Sequence, residues 1–302
     1  MKMENKAKIE ELLFGIGIYP DMQALDKFYM CMELMEELFP SVDIHSLKGF
    51  KSLKKLSDEK KASFVSFYNR TNIRQEMQRY KEAGIQWTNV LSPSYPADLK
   101  TIYAPPIVLF YKGNLDVLEQ YIWLGVVGSR DFTPYGKKAV QQLLETLFEK
   151  SNQKVGVISG LAKGIDTEAH VLSIKNHQQT VGVIGTGLDL YYPKANQQIQ
   201  DLMSRDYLVL SEYPMGSQPL KYHFPERNRI IAGISRGVLV IESKKRSGSL
   251  ITAYNALDEG RDVFAVPGSI FEETQMGNHR LIQLGALLTQ NGEDILREWF
   301  II

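Results

Sequence analysis

The sequence predicts an α/β protein: a doubly wound, mainly parallel sheet preceded by a small all-helical domain. Up to about residue 82, apolar residues recur at three- and four-residue spacings, as on amphipathic helices. From Tyr121 onward, short apolar runs alternate with helical stretches. Those runs are continuous rather than alternating, as in parallel strands covered on both faces. The expected division is a helical domain at residues 1–82 and an α/β domain at residues 83–302.

In chain order, KIEELLFGIGI, DMQALDKFYMCMELMEELF, LSDEKKASFVSFYNR and TNIRQEMQRYKEAG read as helices. Ser57 and Thr71 are the expected N-caps of the last two. Met30, Met32 and Met35 read as core packing. The grammar changes after Gly84: IQWTNVLSPSYPADLKTIYAPPIVLFYKG is rich in prolines and strand formers, which marks an inter-domain seam. The strands follow as YIWLGVVGS, KVGVISG, TVGVIGTG, YLVLSEY, GVLVIES and DVFAVPG. Between them, YGKKAVQQLLETLFEK, GIDTEAHVLSIKNHQ, NQQIQDLMSR and SLITAYNALDEG read as helices.

Composition excludes several classes. Cys31 is the single cysteine of the 302 residues, so no intramolecular disulfide and no thiolate zinc site is possible. The charged N-terminus lacks the apolar core of a signal peptide, and no stretch approaches a membrane span. A reducing, cytoplasmic location is expected. Lys and Arg total 35, as do Asp and Glu, so only local charge can speak for a polyanion.

In a doubly wound sheet, ligands bind beyond the carboxyl ends of the strands. Those ends carry GSRDFTPYG, SGLAKGID, GTGLDLYYPKAN, SEYPMGSQPLKYHFPERNR and ESKKRSGSLITA. Gly128, Gly160 and Gly164 would let an anion approach the backbone closely. Serine hydroxyls and helix-start N–H groups are phosphate donors, and Arg130 and Lys163 add charge-assisted bonds. Seven Lys and Arg residues lie between Lys221 and Arg246, against Glu226 and Glu242. Such a locally basic edge suits a polyanion groove. Tyr191, Tyr192, Tyr222 and Phe224 either cover the sheet end or stack bases, while isolated His170 and His223 fit no metal spacing. Asp166 would cap its helix or orient Arg130. Arg227 and Arg229 lie two apart on a helix and so point to different sides. The expectation is that Arg227 faces the ligand and Arg229 pairs with an internal carboxylate such as Asp166 or Glu242.

Catalytic motifs are missing. GVVGSR and GVIGTG have the wrong spacing for a dinucleotide fingerprint, and there is no P-loop and no GxSxG.

The succession VVGSRDFTPYG, VISGLAKGIDTEAH, TVGVIGTGLDLYYPKAN, LSEYPMG, FPERNRIIAGIS, VLVIESKKRSGSLITA, GRDVFAVPG and GNHRLIQLGA resembles, in order, the motifs of the bacterial DNA-processing protein A (DprA/Smf) family. The resemblance implies an extended Rossmann-like three-layer fold that binds single-stranded DNA without strong sequence preference. It further implies protection of incoming DNA in natural transformation, loading of RecA recombinase, a homodimer, no cofactor and no established catalysis. Carried over residue by residue, the DNA-facing set is Gly128, Ser129, Arg130, Ser159, Gly160, Lys163, Gly164, Lys194, Asn196, Arg227, Asn228 and Arg229. Ser247, Gly248, Ser249 and Thr252 are further candidates. The helical region would be the family's sterile-alpha-motif-like or helix-hairpin-like domain, and a C-terminal winged helix is not expected. The dimer face is placed at His279, Ile282 and Leu288. An alternative, a LOG-like phosphoribohydrolase, would need a Gly-Gly pair and a glutamate that RSGSLITAY lacks.

Overall fold

The computed structural model describes residues 3–38 and 56–300. They form two compact units. One comprises the residues up to Lys112 with Gly185–Leu190 and Leu210–Pro219; the other comprises Gly113–Ile184, Tyr191–Val209 and the residues from Leu220 onward.

The first unit opens with four helices, α1 (Met3–Ile18), α2 (Ala24–Leu38), α3 (Asp58–Arg70) and α4 (Ile73–Glu82). The expected extension of the second helix to Phe39 lies outside the described residues. Ser57 caps α3 as expected, accepting from the Lys60 amide at 3.4 Å. The cap of α4 is Asn72 rather than Thr71: its Oδ1 accepts from the Gln75 amide at 3.1 Å, while Thr71 ends α3. Met30, Met32 and Met35 are core residues, as is Cys31, whose thiol burial pushes up to about 12. Next come β1 (Gln86–Asn89), α5 (Ala97–Lys100) and β2 (Val108–Gly113), with β1 and β2 antiparallel and Trp87 opposite Phe110. Phe14 of α1 packs 5.2 Å from Tyr80, 4.8 Å from Trp87 and 6.1 Å from Phe110. Helices and strand pair thus share one aromatic core. This is why the compact unit runs on to Lys112, past the change of composition near residue 82.

From there strands and helices alternate: β3 (Ile122–Val127), α6 (Pro134–Lys150), β4 (Val155–Ser159), α7 (Ile165–Lys175), β5 (Thr180–Ile184), α8 (Gln197–Asp206), β6 (Leu208–Ser211), α9 (His223–Ile234), β7 (Gly237–Val240), α10 (Gly248–Asp258), β8 (Asp262–Ala265), α11 (Met276–Gln283), β9 (Leu287–Leu288) and α12 (Gly292–Glu298). The expected strands all form. Within the second unit the order is β5-β4-β3-β7-β8-β9, with parallel pairing throughout. Successive residues of a strand serve opposite faces. Leu124, Val126 and Leu239 meet α6, α7 and α12 through Leu144, Leu147, Ile165 and Leu296. Val127, Val238 and Val240 meet α9, α10 and α11 through Ala232, Ala253 and Leu281. Three layers result, the extended Rossmann-like arrangement expected. Among the described residues no helix is long and apolar enough to cross a membrane.

The chain runs from β3 outward through β4 to β5, then returns to β7 and runs the other way. The order reverses between β3 and β7, and their carboxyl ends open the crevice where such sheets hold ligands.

Candidate functional site

Much of the polar sequence at this edge is turned inward. Ser159, Asn196, Arg227 and Asn228 are buried. Ser159 Oγ donates to the Val126 carbonyl at 2.6 Å, joining the ends of β4 and β3. Asn196 Nδ2 donates to the Leu161 carbonyl and to Thr167 Oγ1, both at 2.8 Å. Asn228 Nδ2 donates to the Gly248 carbonyl at 3.2 Å, tying α9 to the start of α10. Arg227 Nη1 donates to the Gly160 carbonyl at 2.7 Å and also to that of Val183, while its Nε donates to Asn228 Oδ1 at 3.1 Å. These four side chains fasten the strand ends together.

The expectation that Arg227 faces the ligand is therefore overturned. Arg227 is internal; Arg229 is half-buried, with Nη1 donating to the Glu226 carbonyl of its own helix at 3.2 Å. The reason is helical register: His223, Arg227, Ile230, Ile231 and Ile234 form the buried stripe of α9, and position 229 falls off it. Asp166 is buried and accepts the Gly160 amide at 3.2 Å. Burial pushes its carboxyl up to about 6, against the pull of the Arg227 guanidinium and the amides of Ala162 and Gly160. Glu242 accepts from the Thr133 amide at 2.9 Å, Thr133 Oγ1 at 2.5 Å and Gln275 Nε2 at 3.3 Å, so it braces the start of α6.

The glycines take part in this fastening. A Cβ on Gly160 would lie 2.5 Å from Arg227 Nη2 and 2.7 Å from Asp166 Oδ2. Gly164 has a φ of +96°, and a Cβ there would lie 2.3 Å from the Ser129 carbonyl oxygen. Gly128 likewise gives its space to Ile165. The loops after β3 and β4 are pressed against each other, and the Ile165 amide donates to the Ser129 carbonyl at 3.1 Å.

What remains exposed is cationic and aromatic. Arg130 lies over the Phe224 ring, 5.6 Å from its centroid, and Phe224 lies 5.3 Å from Tyr192 at 37°. A guanidinium and two rings, from three separate segments, thus make one platform. Lys163 and Lys194 project into solvent, Lys163 in an ion pair with Asp131 at 2.7 Å. Ser129 is half-buried, and its Oγ accepts the Asp131 amide at 3.2 Å. Lys244, Lys245 and Arg246 are exposed beyond β7, Lys244 within 3.6 Å of Glu273. At the start of α10, Gly248 is exposed, the hydroxyls of Ser247 and Ser249 lie 2.7 Å apart, and Thr252 is buried.

The basic tally from the sequence overstated this edge. Arg227 is internal, and Arg236 precedes β7, so it sits at the opposite, amino end of the strand. There its Nη2 donates to the Trp299 carbonyl at 3.2 Å. His170 is a core residue, with Nδ1 2.7 Å from Thr180 Oγ1; burial and the nearby Arg227 push its pKa down to about 3. The sequence reading missed Asp131 and the pairing of Arg130 with Phe224. The only local signal for the first was an acid directly after Arg130. Among the described residues no three His, Cys, Asp or Glu side chains group as a metal site.

At the far end of the sheet, His279 Nε2 lies 3.0 Å from the Gly268 carbonyl oxygen, and Ile282 is half-buried against the core of α9–α11. Leu284, Leu287 and Leu288 are exposed, and β9 ends the strand order.

Arg130, Lys163 and Lys194 with exposed rings, on loops fastened by internal hydrogen bonds, can hold a flexible polyanion bearing aromatic bases. The family model for DNA recombination-mediator protein A matches residues 86–300. The DNA processing protein DprA of Streptococcus pneumoniae is 54% identical over 211 residues, 70% of this chain and 73% of that protein. An X-ray structure of DprA from Streptococcus pneumoniae matches with a TM-score of 0.74 at 48% identity, covering 78% of this chain and 81% of that one. DNA processing protein A from Helicobacter pylori, described for its single-stranded DNA binding mode, shares the fold with a TM-score of 0.63 at 24% identity, covering 71% and 96%.

Proposed function

The chain belongs to the DNA recombination-mediator protein A (DprA/Smf) family, and from that premise we propose that it binds single-stranded DNA along the carboxyl edge of its parallel sheet. The observation that carries this reading is the platform of exposed Arg130 and Tyr192 with half-buried Phe224 between them, beside Lys163 and Lys194. Cations meet phosphates, and rings meet bases, at about 1–3 kcal/mol for each stacked base. Neither contact reads a base edge, so weak sequence preference follows. The DNA-facing set is then Ser129, Arg130, Lys163, Lys194 and the exposed Gly248. Ser159, Asn196, Arg227 and Asn228 hold the loops that present it.

Binding of this kind weakens steeply with salt, through counterion release. Electrophoretic shifts of labelled oligo-dT across a salt series test it. The expected result is a steep loss of affinity, weaker binding of duplex, and at least a tenfold loss for Arg130→Glu. A flat salt response or equal affinity for duplex would sink the reading.

The wider proposal is protection of incoming strands during natural transformation in the cytoplasm, and loading of RecA onto them. Family membership supports it. We propose no catalytic step, because the carboxylates at this edge are engaged: Asp166 with the Gly160 amide, Glu242 with Thr133 and Gln275. A homodimer is proposed through His279, Ile282 and Leu288, supported by the exposed leucines beside the terminal strand. The division near residue 82 is proposed as a boundary of inheritance, since the family match begins at residue 86.

A further inference from the structure

A surface meant for phosphates ordinarily leaves its cations to solvent ions. Here one of them already has a resident partner. Asp131 follows Arg130 directly, and its carboxylate reaches Lys163 Nζ at 2.7 Å. Both side chains are exposed, Asp131 at 85% and Lys163 at 71%. Lys244 and Arg130 also attract the same carboxylate. One cation is thus in direct contact with the carboxylate, and two more act on it from further off. The loops beneath are held: the Asp131 amide donates to Ser129 Oγ at 3.2 Å, the Ile165 amide to the Ser129 carbonyl at 3.1 Å, and Arg227 to the Gly160 carbonyl at 2.7 Å.

We propose that Asp131 is a built-in counter-anion that stands over Lys163 where a DNA phosphate would sit, and that an arriving strand must displace it. The inference rests on the single-stranded DNA reading and names a residue that sets the affinity of that site. An exposed ion pair is weak, so displacement is readily reversible. It also alters the salt response. With Asp131 beside it the lysine brings no net positive charge to the strand, so one cation fewer leaves the DNA's counterion atmosphere on binding. The device therefore lowers affinity at low salt and makes binding less sensitive to salt.

Asp131→Asn keeps the shape and backbone bond while removing the charge, and the position is too exposed for the fold to depend on it. Oligo-dT affinity is measured for the wild type, Asp131→Asn, Lys163→Gln and the double variant over a salt series. The expected result is about three- to tenfold tighter binding by Asp131→Asn at low salt. Its slope of log affinity against log salt is expected to steepen by about 0.7. Most of the gain should vanish in the Lys163→Gln background. Unchanged or weaker binding by Asp131→Asn overturns the inference, as does tighter binding with an unchanged slope, which would leave simple repulsion. If the wild type itself fails to shift oligo-dT, the functional reading has failed instead.

Discussion

At the scale of single residues, charge and burial separate two kinds of basic side chain that look alike in FPERNR. Arg227 is 4% exposed and ends on two backbone carbonyls beside buried Asp166. Its removal would strand a carboxylate and those carbonyls in the interior. Arg227→Ala is therefore expected to lose about 3–5 kcal/mol of stability. Arg130→Glu, at the surface, should leave the unfolding midpoint almost unchanged while removing DNA affinity. Urea denaturation beside oligo-dT binding separates them; a stable Arg227→Ala would return that residue to the list of DNA ligands.

At the scale of elements, the loop from Gly160 to Gly164 is held at the start of α7 by Asp166. The Asp166 carboxyl is raised from its ordinary 3.8 to about 6. Between those values the unfolded chain has released this proton while the folded chain keeps it. The stability contributed by Asp166 therefore falls as pH rises through about 4 to 6. A difference of that size corresponds to about 3 kcal/mol. His170 works the other way: lowered from 6.5 to about 3, it withdraws stability as pH falls below its unfolded value. Asp166→Asn keeps the neutral shape and does not titrate, and His170 is common to both proteins. Going from pH 4.5 to 7, the wild type should lose about 2 kcal/mol relative to Asp166→Asn in chemical denaturation. A difference that stays flat with pH would refute the raised carboxyl.

At the scale of the whole molecule, the sheet's carboxyl edge bears the charge and its terminal strand bears exposed leucines. The proposed dimer would set two binding edges on one strand, which lengthens the platform and adds avidity. Ile282→Arg is expected to give a monomer by light scattering. Leu288→Arg, at a position 49% exposed, repeats the test without disturbing the core. A dimer that survives both substitutions excludes this face.

The strand and helix pattern, the layering and the crevice at the strands' carboxyl edge were legible in the residues, because hydrophobic periodicity is a local property set by backbone geometry. Helical register was legible too, had His223, Arg227, Ile231 and Ile234 been read as one stripe. Tertiary structure alone decided the direction of each polar group. Gly160 makes room for Arg227, Gly164 for Ser129, and Asp131 reaches Lys163 across 32 positions of sequence. Those partners meet only when the strands align, since side-chain burial and ion pairing depend on distances in space that spacing along the chain does not encode.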